Sequence, residues 1–357
     1  MNEVLDRLAR MTPGKTPVLS VYLDMRPQAT GQRPSVRSGL VVLKDRLREI
    51  EKTLGPRGPA LDAFRADKER IEQYDASPAA QGVALFASDP DNLFEVVEAG
   101  VPFQNEVTYT DLPELFQLAH LRDEHETSVV AVVDTNTARL FIMRRGFLEE
   151  QRGLSERPRM YSMRYTGGLN IARYQRRIKN SRESFAKEAA AEIERLVDEE
   201  GATRVVLAGD AVAIPLLRAA LSPRVTQLLH NDVLRLDIRD PRTEIEREVA
   251  PVLAQAEAEN ERAVADQLMD AVQANGLGVV GLEETQAALD HGQVDVLLLM
   301  PQSGVDEGVR QDLVRRAIAT SAEVEMVKQH ELLEMLGGVG ALLRYRHEGY
   351  DATAAGA

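Results

Sequence analysis

The chain has 357 residues, a net charge of −14, a mean hydropathy of −0.27, 44% apolar residues and 28% charged ones. That length exceeds one ordinary core of about 100–200 residues, so two or three domains are expected, and the apolar content excludes a largely disordered chain. With no Cys at all, disulfides, Cys-ligated zinc, iron–sulfur clusters and thiol nucleophiles are excluded together.

The opening MNEVLDRLARM is charged and amphipathic, and no apolar run approaches roughly 18 residues. Neither a signal peptide nor a membrane span is expected, and the expected location is cytoplasmic. Residues 1–126 predict a first α/β domain. Val18–Leu23 reads as a strand closed by the Pro- and Gly-bearing turn Arg26–Pro34. Leu40, Leu43, Leu47 and Ile50 recur at helical spacing within Arg37–Leu54, and Gly55-Pro56 ends that run. Gly82–Ala87 and Leu93–Val97 predict two strands joined by the polar turn Ser88–Asn92. The charged segment HLRDEHET, His120–Thr127, reads as a solvated boundary, and the five-residue spacing of His120 and His125 suits no metal site on one helical face.

A second domain, residues 127–268, starts with Val129–Val133 and Ala138–Met143, two apolar runs around the turn Asp134–Thr137, the pattern of a hairpin. Ile171–Glu200 predicts one long helix, Val205–Leu207 a buried strand, Ala211–Leu221 a helix, and Glu244–Leu268 an Ala- and Glu-rich helix leading to the next domain. Residues 269–347 alternate strand and helix: Val279–Val280, Glu283–His291, Val294–Leu299, Gly308–Thr320, Glu323–Val327, Glu331–Met335 and Ala341–Tyr345. That order predicts an α/β sandwich. The tail, 348–357, is rich in small residues and is expected to be disordered. Gly276–Gly281 fits G-x-G-x-x-G literally, but it follows a helix-like segment, so its glycines are expected to serve turns.

An acidic chain repels nucleic acid on average. The average conceals residues 152–182, where nine basic residues face one acidic residue, giving a local +8 and leaving −22 on the rest. Within it, Arg173, Arg176, Arg177, Asn180 and Ser184 recur at i, i+3, i+4, i+7 and i+11, one helical face just after Gly167-Gly168. Arg grips phosphate oxygens through its planar fork, and a helix N-terminus adds unpaired N–H groups and a positive dipole end. A solvated charged face is the plainer alternative. Tyr161 and Tyr165 are open between stacking on bases and simple loop roles, whereas Tyr174 is expected to pack inward.

The run GGLNIARYQR, Gly167–Arg176, resembles the Gly-Gly-Gln loop and following helix of the archaeo-eukaryotic class-I peptide release factors, continuing through Arg182, Phe185 and Lys187. VVLAGD (Val205–Asp210) is similar to that family's central-domain strand, GLEETQAALDHGQVDVLLL (Gly281–Leu299) to the start of its third domain, and GGVGALLRYR (Gly337–Arg346) to its closing strand. The resemblance spans residues 128–347 and is only architectural before that. It implies a three-domain, release-factor-like α/β protein with an RNase H-like central domain and a ribosomal-protein-like α/β sandwich C-terminal domain.

Two positions depart from the family pattern. Leu169 stands where Gln helps to position the hydrolytic water, which leaves only backbone N–H groups at Gly168 and Leu169 to polarise an ester. No His or Cys in residues 150–185 offers a base. The stop-codon motif Asn-Ile-Lys-Ser is absent; Arg33–Ser38, RPSVRS, occupies the comparable position. The profile resembles Pelota-type rescue factors and the Balon-like bacterial homologues. It implies a ribosome A-site-binding, RNA-binding translation factor for hibernation, stress response or stalled-ribosome rescue, acting by occupancy.

No catalytic residue, metal ligand or cofactor is expected. The loop and helix residues implied to contact 23S rRNA at the peptidyl transferase centre are Gly167, Gly168, Leu169, Asn170, Arg173, Arg176, Arg177, Lys179, Asn180 and Arg182, with secondary contacts from Arg157, Arg159, Tyr161, Arg164 and Tyr165. The first domain is implied to face the small-subunit decoding site, and a GTPase such as EF-Tu is the implied protein partner. A peptidyl-tRNA hydrolase is the alternative. A metal-dependent nuclease using Asp134 and Asp210 is a remote one, since two-metal chemistry needs a third convergent carboxylate.

Overall fold

Among the described residues, strands dense in apolar and β-branched residues build three four-stranded sheets, and the segments between them supply the helices that cover them. The computed structural model describes residues 2–27, 31, 33–155 and 169–346. In the N-terminal segment, α1 (Asn2–Ala9) precedes β1 (Val18–Asp24). Next come α2 (Val36–Val42), α3 (Lys44–Thr53), α4 (Pro59–Glu72), β2 (Gly82–Ser88), β3 (Leu93–Ala99), β4 (Glu106–Thr110) and α5 (Phe116–Glu124). The sheet order is β3-β2-β1-β4, antiparallel throughout. The helix expected over Arg37–Leu54 is broken at Leu43, where α2 closes and α3 begins.

The central segment holds β5 (Ser128–Val133), β6 (Thr137–Arg144), β7 (Phe147–Ser155), α6 (Leu169–Glu200), β8 (Arg204–Gly209), α7 (Ala213–Ala220), α8 (Pro223–Gln227) and the 32-residue α9 (Arg242–Gln273). Its order is β7-β6-β5-β8, an antiparallel meander with β8 parallel beside its first strand, the arrangement of an RNase H-like core. Period-two alternation divides β5 between two cores. Val129, Ala131 and Val133 join Phe185, Ile193 and Leu196 of α6, while Val130 and Val132 join Ile245 and Val249 of α9. Gly209, at φ +123, lets β8 close on β5; a Cβ there would meet the Val133 carbonyl oxygen at 1.9 Å.

The C-terminal segment adds β9 (Gly278–Val280), α10 (Leu282–Asp290), β10 (Val294–Leu299), α11 (Glu307–Ala319), β11 (Glu323–Met326), α12 (Glu331–Met335) and β12 (Val339–Leu343). The sheet runs β11-β10-β12-β9. Leu289 of α10 and Leu313 and Ile318 of α11 pack in one cluster with alternate residues of this sheet, and Leu268 and Met269 of α9 in another, so the sheet is covered on both faces. Gly278 lies inside β9 and Gly281 opens α10 at φ +94, so these glycines serve a strand and a turn.

The chain forms two compact units, Met1–Glu124 with Glu257–Ala357, and His125–Ala256. In the first, α1, α5 and the N-terminal sheet share one apolar cluster with the C-terminal sheet and α11. Gln311 Oε1 accepts the N–H groups of Leu115 and Phe116, each at 2.9 Å. The solvated boundary expected at His120–Thr127 is corrected here: its first half is the end of α5, with Leu118, Ala119, Leu121 and Asp123 buried. The charged letters conceal a helix whose apolar partners lie far along the chain. The tail expected to be disordered lies outside the described residues.

Candidate nucleic-acid interface

Helix α6 has 32 residues and so is about 48 Å long, and its two halves have different surroundings. Toward its C-terminal end, Phe185, Ala186, Ala189, Ala190, Ile193, Leu196 and Val197 are buried against the sheet and α7. In Arg173–Asn180, Arg173, Gln175, Arg176, Arg177, Lys179 and Asn180 are exposed and Ile178 is half-buried. At about 100° per residue, Arg173, Arg176, Arg177 and Asn180 fall on the side opposite Phe185, Ile193 and Leu196. The basic face therefore points away from the core that holds the helix.

Not every residue of the expected set shares that face. Arg182 is half-buried and lines a cleft with Asp134, Thr135, Phe185 and Leu217, on the core-facing side. Lys179 is exposed off the main stripe, its Nζ 3.7 Å from Glu183. Residues 156–168, and hence Arg157, Arg159, Tyr161, Arg164, Tyr165, Gly167 and Gly168, lie outside the described residues, as do the side chains of Leu169, Asn170 and Tyr174.

The strand-end carboxylates have local duties. Asp134 Oδ1 accepts the N–H groups of Asn136 at 2.7 Å and Thr137 at 2.6 Å, closing the β5–β6 turn. Asp210 Oδ1 accepts those of Val212 at 2.7 Å and Ala213 at 3.1 Å, opening α7. Among the described residues no third metal-binding side chain joins them; the one group of three carboxylates within ligand distance is Asp123, Glu257 and Glu325, in the other unit. At the position comparable to the stop-codon motif, Ser35 caps α2 by accepting the Ser38 N–H, and Arg33 donates to the Ala80 carbonyl. These groups serve the fold.

The buried trio was missed by reading the sequence. A carboxylate inside HLRDEH looks solvated, and its partners stand more than a hundred positions away; only the apolar Phe116, Leu118, Ala119 and Leu121 around it signalled a helix.

Residues 113–254 match the family described as bacterial archaeo-eukaryotic release factor family 10. The pelota homolog of Methanothrix thermoacetophila is 29% identical over 181 residues, covering 47% of this chain and 50% of the relative, so the match spans about half of that protein's length. Of solved structures, the archaeal termination factor aRF1 is similar at 19% identity over 96% of both chains, with a TM-score of 0.31. An archaeal Pelota, ribosome-bound with ABCE1, is similar at 18% identity over 97% of this chain and 94% of that one, with a TM-score of 0.46. Dom34 of S. cerevisiae, which interacts with Hbs1, is similar at 12% identity over 75% and 82%, with a TM-score of 0.45. The two sequence matches thus make residues 113–254 similar to the bacterial archaeo-eukaryotic release factors and about half of the chain similar to an archaeal pelota homolog.

Proposed function

We propose that this chain is a ribosome-associated translation factor that occupies the A site of idle or stalled ribosomes and does not release peptide. The observation that carries the reading is the exposed face of Arg173, Arg176 and Arg177 on α6, turned away from the core and continuous in sequence with Gly167-Gly168. Local phosphate binding by one basic finger suits RNA recognition by an otherwise acidic body, because a bound factor neutralises phosphates only where it touches them.

In this reading residues 127–268 carry the Gly-Gly-Leu loop and the basic helix toward 23S rRNA at the peptidyl transferase centre, and residues 1–126 address the small-subunit decoding site. Residues 269–347, with the central segment, meet an elongation-factor GTPase, EF-Tu in a bacterium. The ribosome-bound state of an archaeal Pelota and the pairing of Dom34 with Hbs1 suggest this kind of assembly. No helix among the described residues is long and apolar enough to cross a membrane, and a cytoplasmic location is part of the proposal.

The test is co-sedimentation with vacant 70S ribosomes at physiological salt, with peptide release from a loaded complex assayed in parallel. Wild type is expected to pellet with ribosomes without releasing peptide, and the triple variant R173E/R176E/R177E to stay in the supernatant with an unchanged circular dichroism spectrum. Equal pelleting of both proteins overturns the assignment of the basic face. Release by wild type makes the protein a peptidyl-tRNA hydrolase.

A further inference from the structure

The chain leaves its first unit after Glu124, at the end of α5, and re-enters it at Glu257, within α9. At these two passages Asp123 of α5, Glu257 of α9 and Glu325 of β11 are buried, with one carboxylate oxygen of each within 4.8 Å of the others. Asp123 Oδ2 accepts the Met326 N–H at 2.7 Å, and Asn260 Nδ2 donates to Glu325 Oε1 at 3.2 Å. The trio therefore ties both passages to one strand. Three buried carboxylates this close do not all ionise without a large repulsive cost, so one of them keeping its proton is the ordinary solution.

The charged groups around the trio come from every element packed there. On α5, Arg122 interacts with Asp6 of α1 and Glu323 of β11 as well as with Asp123. His120 lies 3.2 Å from Glu124, and burial lowers its pKa. Beyond β11, Lys328 Nζ stands 2.6 Å from Glu124 and 3.4 Å from Glu261, so its charge is directed to carboxylates outside the trio. Arg310 of α11 lies 5.2 Å over the Phe116 ring.

We propose that Asp123, Glu257 and Glu325 form a proton-held clasp that pins α5 and α9, the segments by which the chain leaves and re-enters its first unit, to strand β11, and that the clasp loosens when the proton is lost. Burial first, and then the charges of Glu325, Glu257 and Glu261, push the Asp123 carboxyl up to about 9, against the pull of the Met326 N–H. A carboxyl raised in this way contributes fully below its ordinary range near pH 4, and its contribution declines as pH rises toward the folded value. Opening in that window releases one proton, so the opening equilibrium rises by up to about tenfold per pH unit. The clasp is thus a device that responds to pH across the neutral and alkaline range, and it stands independently of ribosome binding.

The experiment uses the full chain without ribosomes. Amide exchange of Met326 and of the α5 amides, corrected for intrinsic rates, is followed from pH 6 to pH 9, and the Asp123 carboxyl is titrated by 13C NMR. Its resonance is assigned by through-bond correlation of the side-chain carboxyl carbon to the assigned Asp123 backbone. Wild type is expected to lose protection as pH rises, with Asp123 titrating in the alkaline range. D123N, whose amide oxygen still accepts from Met326 and whose amide has no proton to lose in this range, is expected to show a flat profile. Should D123N not fold, E325Q decides. Removing the Glu325 charge is expected to lower the Asp123 titration, while the amide oxygen introduced at position 325 still accepts from Asn260. Asp123 titrating near pH 4, or a wild-type slope retained in D123N, overturns the proposal. Restoration of wild-type protection at pH 9 by magnesium or calcium chloride also overturns it and makes the trio a cation site.

Discussion

In the proposed reading, Leu169 is the residue on which the absence of peptide release rests. A Gln at the third loop position supplies a polar group that holds a water near an ester carbonyl; Leu supplies none, and no His or Cys in residues 150–185 replaces it as a base. Backbone N–H groups alone stabilise a developing oxyanion but do not deliver the nucleophile. Wild type is therefore expected to leave peptidyl-tRNA on the ribosome intact, and L169Q to raise ester hydrolysis above that background, read as peptide released from a loaded complex. Equal, robust release by both proteins would show that the loop works by another route. Single residues were also where the sequence was least legible. Asp134 and Asp210 stood visibly at strand ends, and their turn-closing bonds follow from that position. Asp123 gave no such sign, because its meaning depends on Glu257 and Glu325, which only the fold brings near.

Among the elements, α6 joins two tasks in one rod, and the two are separable. Ile193 is fully buried against Val129, Leu140 and Leu207, so I193A is expected to destabilise the central unit by about 2–5 kcal/mol, the usual cost of cutting a buried Ile to Ala. Exposed Arg176, by contrast, is expected to change stability by less than about 0.5 kcal/mol when replaced by Ala, while weakening co-sedimentation with ribosomes. Exchange protection of the β5 and β8 amides reads the first effect and ribosome pelleting the second. A variant R176A that unfolds, or one that pellets like wild type, contradicts this division. This helix was legible from its sequence because its apolar period and its basic period run on opposite faces. Strands β1, β2, β5, β6, β8 and β10 were legible for the same kind of reason, their apolar runs being bounded by polar turns. Helices α4 and α5 were not, since charged residues interrupt their apolar positions, and for α5 the burying surface is built from the distant β11 and α11.

At the scale of the whole molecule the distribution of charge matters more than its sum. The net charge of −14 comprises +8 in residues 152–182 and −22 elsewhere, so a phosphate-rich partner is attracted by one segment and repelled by the remainder. A factor coating RNA with many basic residues shows a steep salt dependence, because each neutralised phosphate releases counterions. If the phosphate contact of the proposed assembly comes mainly from Arg173, Arg176 and Arg177, engagement of about three phosphates gives a slope of log K against log salt of roughly −2 to −3. Between 50 and 200 mM salt the affinity for 70S ribosomes is then expected to fall by about 20- to 60-fold, against the 10³–10⁵-fold typical of proteins with six to ten phosphate contacts. The measurement is a binding isotherm at four salt concentrations for wild type and R176A, the variant losing about one phosphate's share of the slope. A slope near −8 in wild type would mean that much more of the chain meets RNA than this one helix. No slope at all would mean that the basic face is merely solvated and that contacts of another kind hold the protein to its partner.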